Sequence, residues 1–583
     1  MSKRTGALLM ALVMLFGLMA PAANAVETDN AVEAVYLGVK DFTALDTDEV
    51  AEDDFVHRFF VDGEEVEYTV ATGEAEDYAI QNELMAGYIY NIVVEDDVVT
   101  DAELQDKGTI TMGVVTGVGD YTEDDVTIYE IDVEDETIDV TELPIYEIES
   151  PVQPSGAVVN EITFDDIELD DTVKITENAV YKAFVAEEYT APVEGTPGKA
   201  TLKNFLTTAL QPVGTALYVF GGAWDWEDDA SSPQSTTIGI PQSWIDFFQS
   251  QDTDYHYKKT TNGSYANSYY TSNRGWNQYY YAGVDCSAYT GWVVYNTLHD
   301  EAGGEGYVGS STNQAQDFAD NGWGTVDRGE YVLNEDGTIY TDGDGDSHRV
   351  WDTTDFQVGD IFSDNGHVWI CLGVCDDGSM VFMHSTPSTS TDGEGEGGGI
   401  QISALDVEMR EDCEAYQLAC HYMETYYPQW TERYTPVVRG ESYINVWDGG
   451  HPDSEDFSPK KAGRFSWDLE NGPLSDPDGY ADMTPAEILA DIFGEFSGEA
   501  VYLGVKDFTE LDTDDVSEDE FVHRFFMDGE VIECTIATGE DENYAIQNTL
   551  MEGYIYNIAG RKGEIVSAGE QDIMDAGTVE SVG

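Results

Sequence analysis

The sequence predicts a multidomain chain in which an α+β centre is flanked by small all-β modules, the two outermost being copies of one another. Three observations carry that expectation. The chain has 583 residues, more than a single hydrophobic core serves, so several domains are required. Val35-Tyr36-Leu37-Gly38-Val39-Lys40-Asp41-Phe42 returns near the end as Val501-Tyr502-Leu503-Gly504-Val505-Lys506-Asp507-Phe508. From Thr201 onward, short alternating β segments give way to helical spacing dense in aromatic residues.

Residues 1–25 read as a secretory signal. Lys3 and Arg4 precede an apolar run from Ala7 to Ala20, and Ala23-Asn24-Ala25 has the small-x-small pattern of a cleavage site. Position 26 is Val, so lipid attachment at a cysteine there is not expected. No later stretch reaches the length of a membrane span, so no integral membrane segment is expected after signal removal. The mature protein is expected to be secreted, or held non-covalently at a bacterial cell surface.

Residues 32–115 read as the first acidic β module. Phe55 to Val61, Val66 to Ala71 and Tyr88 to Val94 are candidate strands, and Asp62-Gly63 is a hairpin turn signal. The second copy spans 498–583, and the match runs ungapped through Asn91-Ile92 and Asn557-Ile558. The copies bracket the chain instead of adjoining, which marks a duplicated module and not a solenoid. The second copy stops where the first is still adding strands, so either it closes differently or the sequence is truncated. Residues 116–193 carry further strand-like stretches (Val126 to Ile131, Val173 to Ile175, Ala179 to Val185) and read as a second β module. Pro192, Gly195 and Pro197 punctuate a linker. The centre, 200–435, opens with a helix from Thr201 to Leu210. Residues 436–497, rich in Gly, Asp, Pro and Ser, read as a linker ending in a short helix that Thr484-Pro485-Ala486-Glu487 opens as a capping box.

Asp and Glu number 117 against 24 Lys and Arg, a net charge of −93. Such a surface repels nucleic-acid phosphate and anionic lipid, so neither is expected as a partner. With 41% hydrophobic and 12% aromatic residues, the chain still has the material for packed cores. Six cysteines in an exported chain this long are not a disulfide framework. Cys413 and Cys420 lie about 10 Å apart along a predicted helix, too far to bridge. Cys371 and Cys375 fall in one predicted strand, which also disfavours pairing.

The centre carries one stretch with the character of a nucleophile. Asp285-Cys286-Ser287 leads into helical spacing at Tyr289, Trp292 and Val293, which sets Cys286 in the first turn. Unpaired N–H groups and the positive end of the dipole favour a thiolate there. The plainer alternative is a small buried cysteine opening a core helix. Downstream, Phe356 to Phe362, His367 to Val374 and Met380 to His384 are separated by tight acidic turns and read as an antiparallel meander. His367 opens the middle strand and His384 ends the third, and those ends are neighbours. One imidazole can take the thiol proton while the other orients the first.

This order of motifs resembles the NlpC family of cell-wall cysteine peptidases, over residues 205–390. The family's Tyr-x-Trp-Gly-Gly-like opening is similar to Tyr218-Val219-Phe220-Gly221-Gly222, and its Asp-Cys-Ser-Gly to Asp285-Cys286-Ser287-Ala288. Its Pro-Gly-Asp strand resembles Val358-Gly359-Asp360, its His-Val-Gly-Ile-Tyr-Leu-Gly resembles His367 to Gly373, and its Phe-x-His-Ala-Ser resembles Phe382-Met383-His384-Ser385. Ser311-Thr312 with Gln314 sits where the family often has a Thr-Thr-x-x-Gln segment. The chain departs in a long insertion between Gly222 and Cys286, an acidic hairpin over 322–355, Ala288 in place of Gly, and a longer turn before His384. The resemblance implies a papain-like α+β fold and an endopeptidase that cuts peptidoglycan stem peptides beside D-glutamate. It implies Cys286 as nucleophile, His367 as base and then acid, and His384 as the group that holds His367. It further implies that Tyr218, Asp285 and Ser287 line the substrate site. No metal or other cofactor is expected, with calcium as the alternative.

Other features have plainer readings. His57 and His523 occur twice by duplication and are expected to be structural, and His421 to lie in a helix. Asp342-Gly343-Asp344-Gly345-Asp346 resembles half of a calcium loop, but Ser347 and Thr353 stand where Gly and Glu are required. A charged hairpin turn is expected there, with calcium as the alternative. The aromatic insertion (Trp244, Tyr255, Tyr257, Tyr265, Tyr269, Tyr270, Trp276, Tyr279, Tyr280, Tyr281) suits either contact with cell-wall glycan or packing over the core. Two rival functions stay open: a surface adhesion protein whose centre binds without cutting, and an amidase or acyltransferase on the same fold.

Overall fold

The computed structural model describes residues 31–40, 55–71, 80, 84, 86–105, 111–123, 126–133, 136–149, 157–169, 171–182, 189–222, 238–251, 253, 255–257, 282–302, 306–393, 396–454, 457–506, 521–527, 529–537 and 545–570. The expected signal, 1–25, lies outside them. Among the described residues no helix is long and apolar enough to cross a membrane.

Strands β1 (Ala31–Val39), β2 (His57–Val61), β3 (Glu64–Val70), β4 (Ile89–Glu95) and β5 (Val98–Leu104) close into a barrel in the order β1-β2-β3-β5-β4. The β2–β3 hairpin turns at Asp62 and Gly63, whose φ angles of 49° and 85° suit a two-residue primed turn. Phe59, Tyr90, Ile92 and Val99 fill the interior. Next come β6 (Thr111–Glu123), β7 (Val126–Val133), β8 (Glu136–Asp139), β9 (Ile145–Glu149), β10 (Val158–Ile162), β11 (Thr172–Ile175) and β12 (Val180–Lys182). They form a sheet in the order β10-β9-β12-β11-β6-β7-β8, which begins ahead of the boundary expected at 116. This sheet has its own core around Val115, Ile131, Val173 and Val180, while Tyr146, Ile148 and Tyr181 join the core of the barrel.

The centre opens with α1 (Leu202–Leu210), capped by the Thr201 hydroxyl, and α2 (Gln242–Ser250). Asp246 on α2 hydrogen-bonds Tyr88 of the barrel, and Lys174 on β11 sits 5.1 Å over the same ring. Next come α3 (Cys286–Leu298) and α4 (Gln314–Asp320). The main sheet contains β13 (Gly324–Asp327), β16 (Ile361–Ser363), β17 (Val368–Val374), β18 (Met380–Thr386), β19 (Gly399–Leu405), β20 (Val438–Arg439) and β22 (Gly463–Trp467). Their order, β13-β22-β16-β17-β18-β19-β20, contains the expected meander β16-β17-β18. A smaller sheet joins β14 (Glu330–Tyr331), β15 (Ser347–Val350) and β21 (Asn445–Asp448). Helix α3 lies against β17 and β18 and is buried from Cys286 through Thr297. Its polar residues are satisfied locally, with Thr290 and Thr297 hydroxyls donating to carbonyls one turn back.

The linker expected over 436–497 is a correction. That stretch supplies β20, β21 and β22, and β22 lies between β13 and β16 inside the main sheet. Phe465 is fully buried, and the Trp467 indole donates to the Gly359 carbonyl at 3.0 Å. Turn-forming residues around Gly463-Arg464-Phe465-Ser466-Trp467 mask a five-residue strand whose apolar positions alternate. Helices α5 (Glu414–Tyr426) and α6 (Pro428–Thr431) come before β20, and α7 (Pro485–Phe493), with its capping box formed as expected, leads into the second copy.

The second copy contains β23 (Glu495–Val505), β24 (His523–Met527), β25 (Glu530–Ile536), α8 (Ala545–Thr549), β26 (Ile555–Arg561) and β27 (Glu564–Glu570). It closes as β23-β24-β25-β27-β26, the order of the first barrel. Glu495 fixes it to the centre by accepting from the Tyr422 and Tyr426 hydroxyls on α5, each at 2.7 Å.

Candidate active site

The motifs singled out in the sequence converge on the N-terminus of α3. Asp285 is its N-cap, and Oδ1 accepts from the Ser287 and Ala288 N–H groups at 2.9 Å and from the Ser287 hydroxyl at 2.9 Å. The segment from Leu217 to Gly222 runs beside it, since Val284 N–H donates to the Leu217 carbonyl and Asp285 N–H to the Gly222 carbonyl. That approach requires glycine: a Cβ on Gly222 would meet the Gly283 oxygen at 2.7 Å, and one on Gly283 would meet the Leu217 oxygen at 2.6 Å. From the sheet, the Ser385 hydroxyl on β18 donates to the Val284 carbonyl at 2.7 Å. From α4, the Gln314 amide donates to the Ser287 carbonyl at 3.0 Å.

Cys286 is 4% exposed, with its thiol at the Val368 N–H where β17 begins. The expectation of a thiol made acidic by the helix N-terminus is a correction. Burial pushes its pKa well above the ordinary value, the Asp285 and Asp364 carboxylates add to that, and the N–H groups of Val368 and Ser287 oppose it without prevailing.

His367 and His384 meet as the meander predicts. His367 Nε2 lies 2.7 Å from His384 Nδ1, and His384 Nε2 lies 2.9 Å from the Ser403 hydroxyl on β19. The rest of the chain fixes the direction of these bonds. The Gln401 amide nitrogen faces the Thr386 and Gly399 carbonyls, so its oxygen accepts from the Ser403 hydroxyl at 3.4 Å. Ser403 then accepts from His384 Nε2–H, and His384 Nδ1 accepts from His367 Nε2–H. His367 Nδ1 is therefore left with a lone pair and, among the described residues, no hydrogen-bond partner, the form a general base requires. Burial holds both imidazoles below the ordinary histidine range, with the Arg439 charge adding to it and His367 adding further at His384.

Sequence reasoning missed four residues here. Ser403 belongs to the apolar alternation of β19 and lies within reach only because β19 pairs with β18. Asp364 closes the β16–β17 turn, where Oδ1 accepts from the Gly366 and His367 N–H groups at 2.7 and 2.6 Å. Burial pushes its carboxyl up to about 6. The Tyr443 ring stands edge-on to His367 and His384, at 5.3 and 6.0 Å, and the Arg439 guanidinium lies 5.1 Å over it. Both come from the stretch taken for a linker, and no motif marks them.

The remaining expected residues fall as follows. Ser287 is buried against Asp285. Tyr218 is half-buried, edge-on to Tyr257 at 5.1 Å. Trp244, Tyr255 and Tyr257 belong to the central core, whereas Tyr265, Tyr269, Tyr270, Trp276, Tyr279, Tyr280 and Tyr281 lie outside the described residues. Asp342 turns its carboxylate on the Asp344 and Asp346 N–H groups and on His348. Among the described residues no group of three or more His, Cys, Asp or Glu side chains is arranged to hold a metal. The six cysteines are free. Compared with known proteins, the chain matches no family model, no curated protein and no solved structure.

Proposed function

We propose that this protein is an exported cysteine endopeptidase of the NlpC type, with a papain-like central domain that hydrolyses peptidoglycan stem peptides at the D-glutamyl linkage. One observation carries the reading: the 2.7 Å bond between His367 Nε2 and His384 Nδ1, beside a helix-opening cysteine whose thiol meets the backbone of Val368. In this reading the Cys286 sulfur attacks the amide carbonyl carbon as its proton passes to His367 Nδ1. The Cys286 N–H stabilises the oxyanion. His367 gives the proton to the departing amine, and water, deprotonated by the same imidazole, hydrolyses the thioester and regenerates the thiol. His384, held by Ser403, keeps His367 in the accepting tautomer. Tyr218 borders the substrate. The acidic β modules position the enzyme at the cell surface.

A synthetic stem peptide containing D-glutamate tests the reading. Cleavage on the D-glutamate side by the wild-type chain, and none by His367→Ala, is the expected result; an intact peptide with both overturns it. A second reading, a centre that binds without cutting, draws on the burial that raises the Cys286 pKa, since a buried thiol suits a packed cysteine as well as a nucleophile. Under it, wild-type and Cys286→Ala chains bind the peptide equally and leave it whole.

A further inference from the structure

The two barrels share a strand order and most of a sequence, yet one surface differs between them. In the second barrel, Val531 pairs with Phe526, Phe526 with Val501, and Val501 with Ile555. Directly paired residues share a face, so these four make one apolar row across β25, β24, β23 and β26. Phe526, Val531 and Ile555 are 44%, 54% and 45% exposed, and Met551 and Tyr554 near the end of the row are exposed as well.

In the first barrel the same row reads Glu65, Phe60, Val35, Ile89, and it is covered. Val35 and Ile89 are buried, and Phe60 meets Tyr146 of the β6–β12 sheet edge-on at 4.9 Å. Tyr146 stacks on Tyr181 at 5.8 Å. Around this contact the Ala157 N–H donates to the Leu37 carbonyl. The Glu33 carboxylate accepts from Thr176, Asn178 and Tyr181 at 2.9, 3.2 and 3.1 Å. The counterpart of Glu33, Glu499, is exposed. Val531 stands where the first barrel has the exposed Glu65, so the uncovered row is the more apolar of the two.

We infer that the Val531–Phe526–Val501–Ile555 row is a docking surface for a β-sheet module of the β6–β12 kind. Its partner presents a face like that of the β6–β12 sheet, with a stacked tyrosine pair to meet the row. The duplicate names this occupant, because it displays the same barrel face already filled. The chain's own β6–β12 face is taken up by the first barrel, so a second copy does not supply it.

The test frees that face in the full chain. Phe60→Glu with Ile89→Glu alters the covered row and leaves the barrel interior (Phe59, Tyr90, Ile92) in place. In sedimentation velocity the wild-type chain is expected to remain monomeric. The double variant is expected to associate head to tail, and adding Phe526→Glu with Ile555→Glu is expected to restore the monomer. Hydroxyl-radical oxidation of Met551 and Tyr554 should fall several-fold on association. As a second route, the full chain is extended after Gly583 by another copy of residues 106–193, which should protect Met551 and Tyr554 within one molecule. Unchanged oxidation of these residues in both proteins, or association that persists after the second-barrel substitutions, overturns the inference. So does a wild-type chain that dimerises through this row, which would make a second copy its occupant.

Discussion

The centre and the barrels both bury histidines in hydrogen-bonded chains, and the two chains end differently. In the second barrel Tyr502 donates to His523 Nδ1 at 2.8 Å, and His523 Nε2 donates to the Gln547 side-chain oxygen at 3.1 Å. Both ring nitrogens are occupied; the first barrel repeats the tyrosine contact between Tyr36 and His57 at 2.9 Å. In the centre the chain from Gln401 through Ser403 and His384 stops at His367, whose Nδ1 has no hydrogen-bond partner among the described residues. A closed chain stabilises a fold. An open one leaves a lone pair where a proton can go.

The largest effect expected from that difference falls on His367. His367→Ala should lower peptide cleavage by about 10²- to 10⁴-fold, the usual worth of a general base, whereas His523→Ala should leave the rate unchanged. Steady-state cleavage assays on both variants check it, and an equal loss in both would break the comparison.

Asp364 gives a test through pH. Its carboxyl is raised to about 6 in the fold against about 3.9 in an unfolded chain, so between those values the folded state binds the proton first. Its contribution therefore grows more favourable as pH falls from about 6 to about 4, and above pH 6 the buried charge destabilises. Asp364→Asn keeps the acceptor for Gly366 and His367 and removes the charge. It should raise stability at pH 8 by up to about 3 kcal/mol, roughly two units at about 1.4 kcal/mol each. It should also shift the Cys286 alkylation profile to lower pH, since the Asp364 charge holds that thiol up. Thermal unfolding and iodoacetamide labelling across pH read the two effects.

Ser403→Ala tests the direction of the chain more finely. One hydrogen bond of about 1 kcal/mol corresponds to about a fivefold change in rate. The expected result is a fall of that size in kcat with KM unchanged. The acid limb of kcat/KM, which should lie below the ordinary histidine range in the wild type because His367 is depressed, should move with it. A purely structural serine would leave the pH profile alone. The smallest functional effect belongs to Tyr502→Phe. It leaves His523 Nδ1 without its donor and should cost the second barrel about 1–3 kcal/mol, read by hydrogen exchange of β24, with cleavage intact.

Much of this was legible in local pattern. The duplication, the Asp62-Gly63 turn, the Thr484 capping box and the β16-β17-β18 meander each follow from neighbours in sequence. Adjacent strand ends bring His367 to His384 for the same reason. Ser403, Tyr443 and Arg439 were not legible, because each reaches the site through a pairing that no local spacing encodes. The linker reading over 436–497 failed where composition outweighed the alternation of Phe465 and Trp467. The acidity of the Cys286 thiol was misjudged because a helix N-terminus was weighed without the burial and the two carboxylates around it.

The most direct measurement is release of soluble muropeptides from purified peptidoglycan by the mature protein, with Cys286→Ala beside it. The account predicts fragments ending at D-glutamate from the wild type and none from the alanine variant. Equal release from both, or none from either, would contradict it.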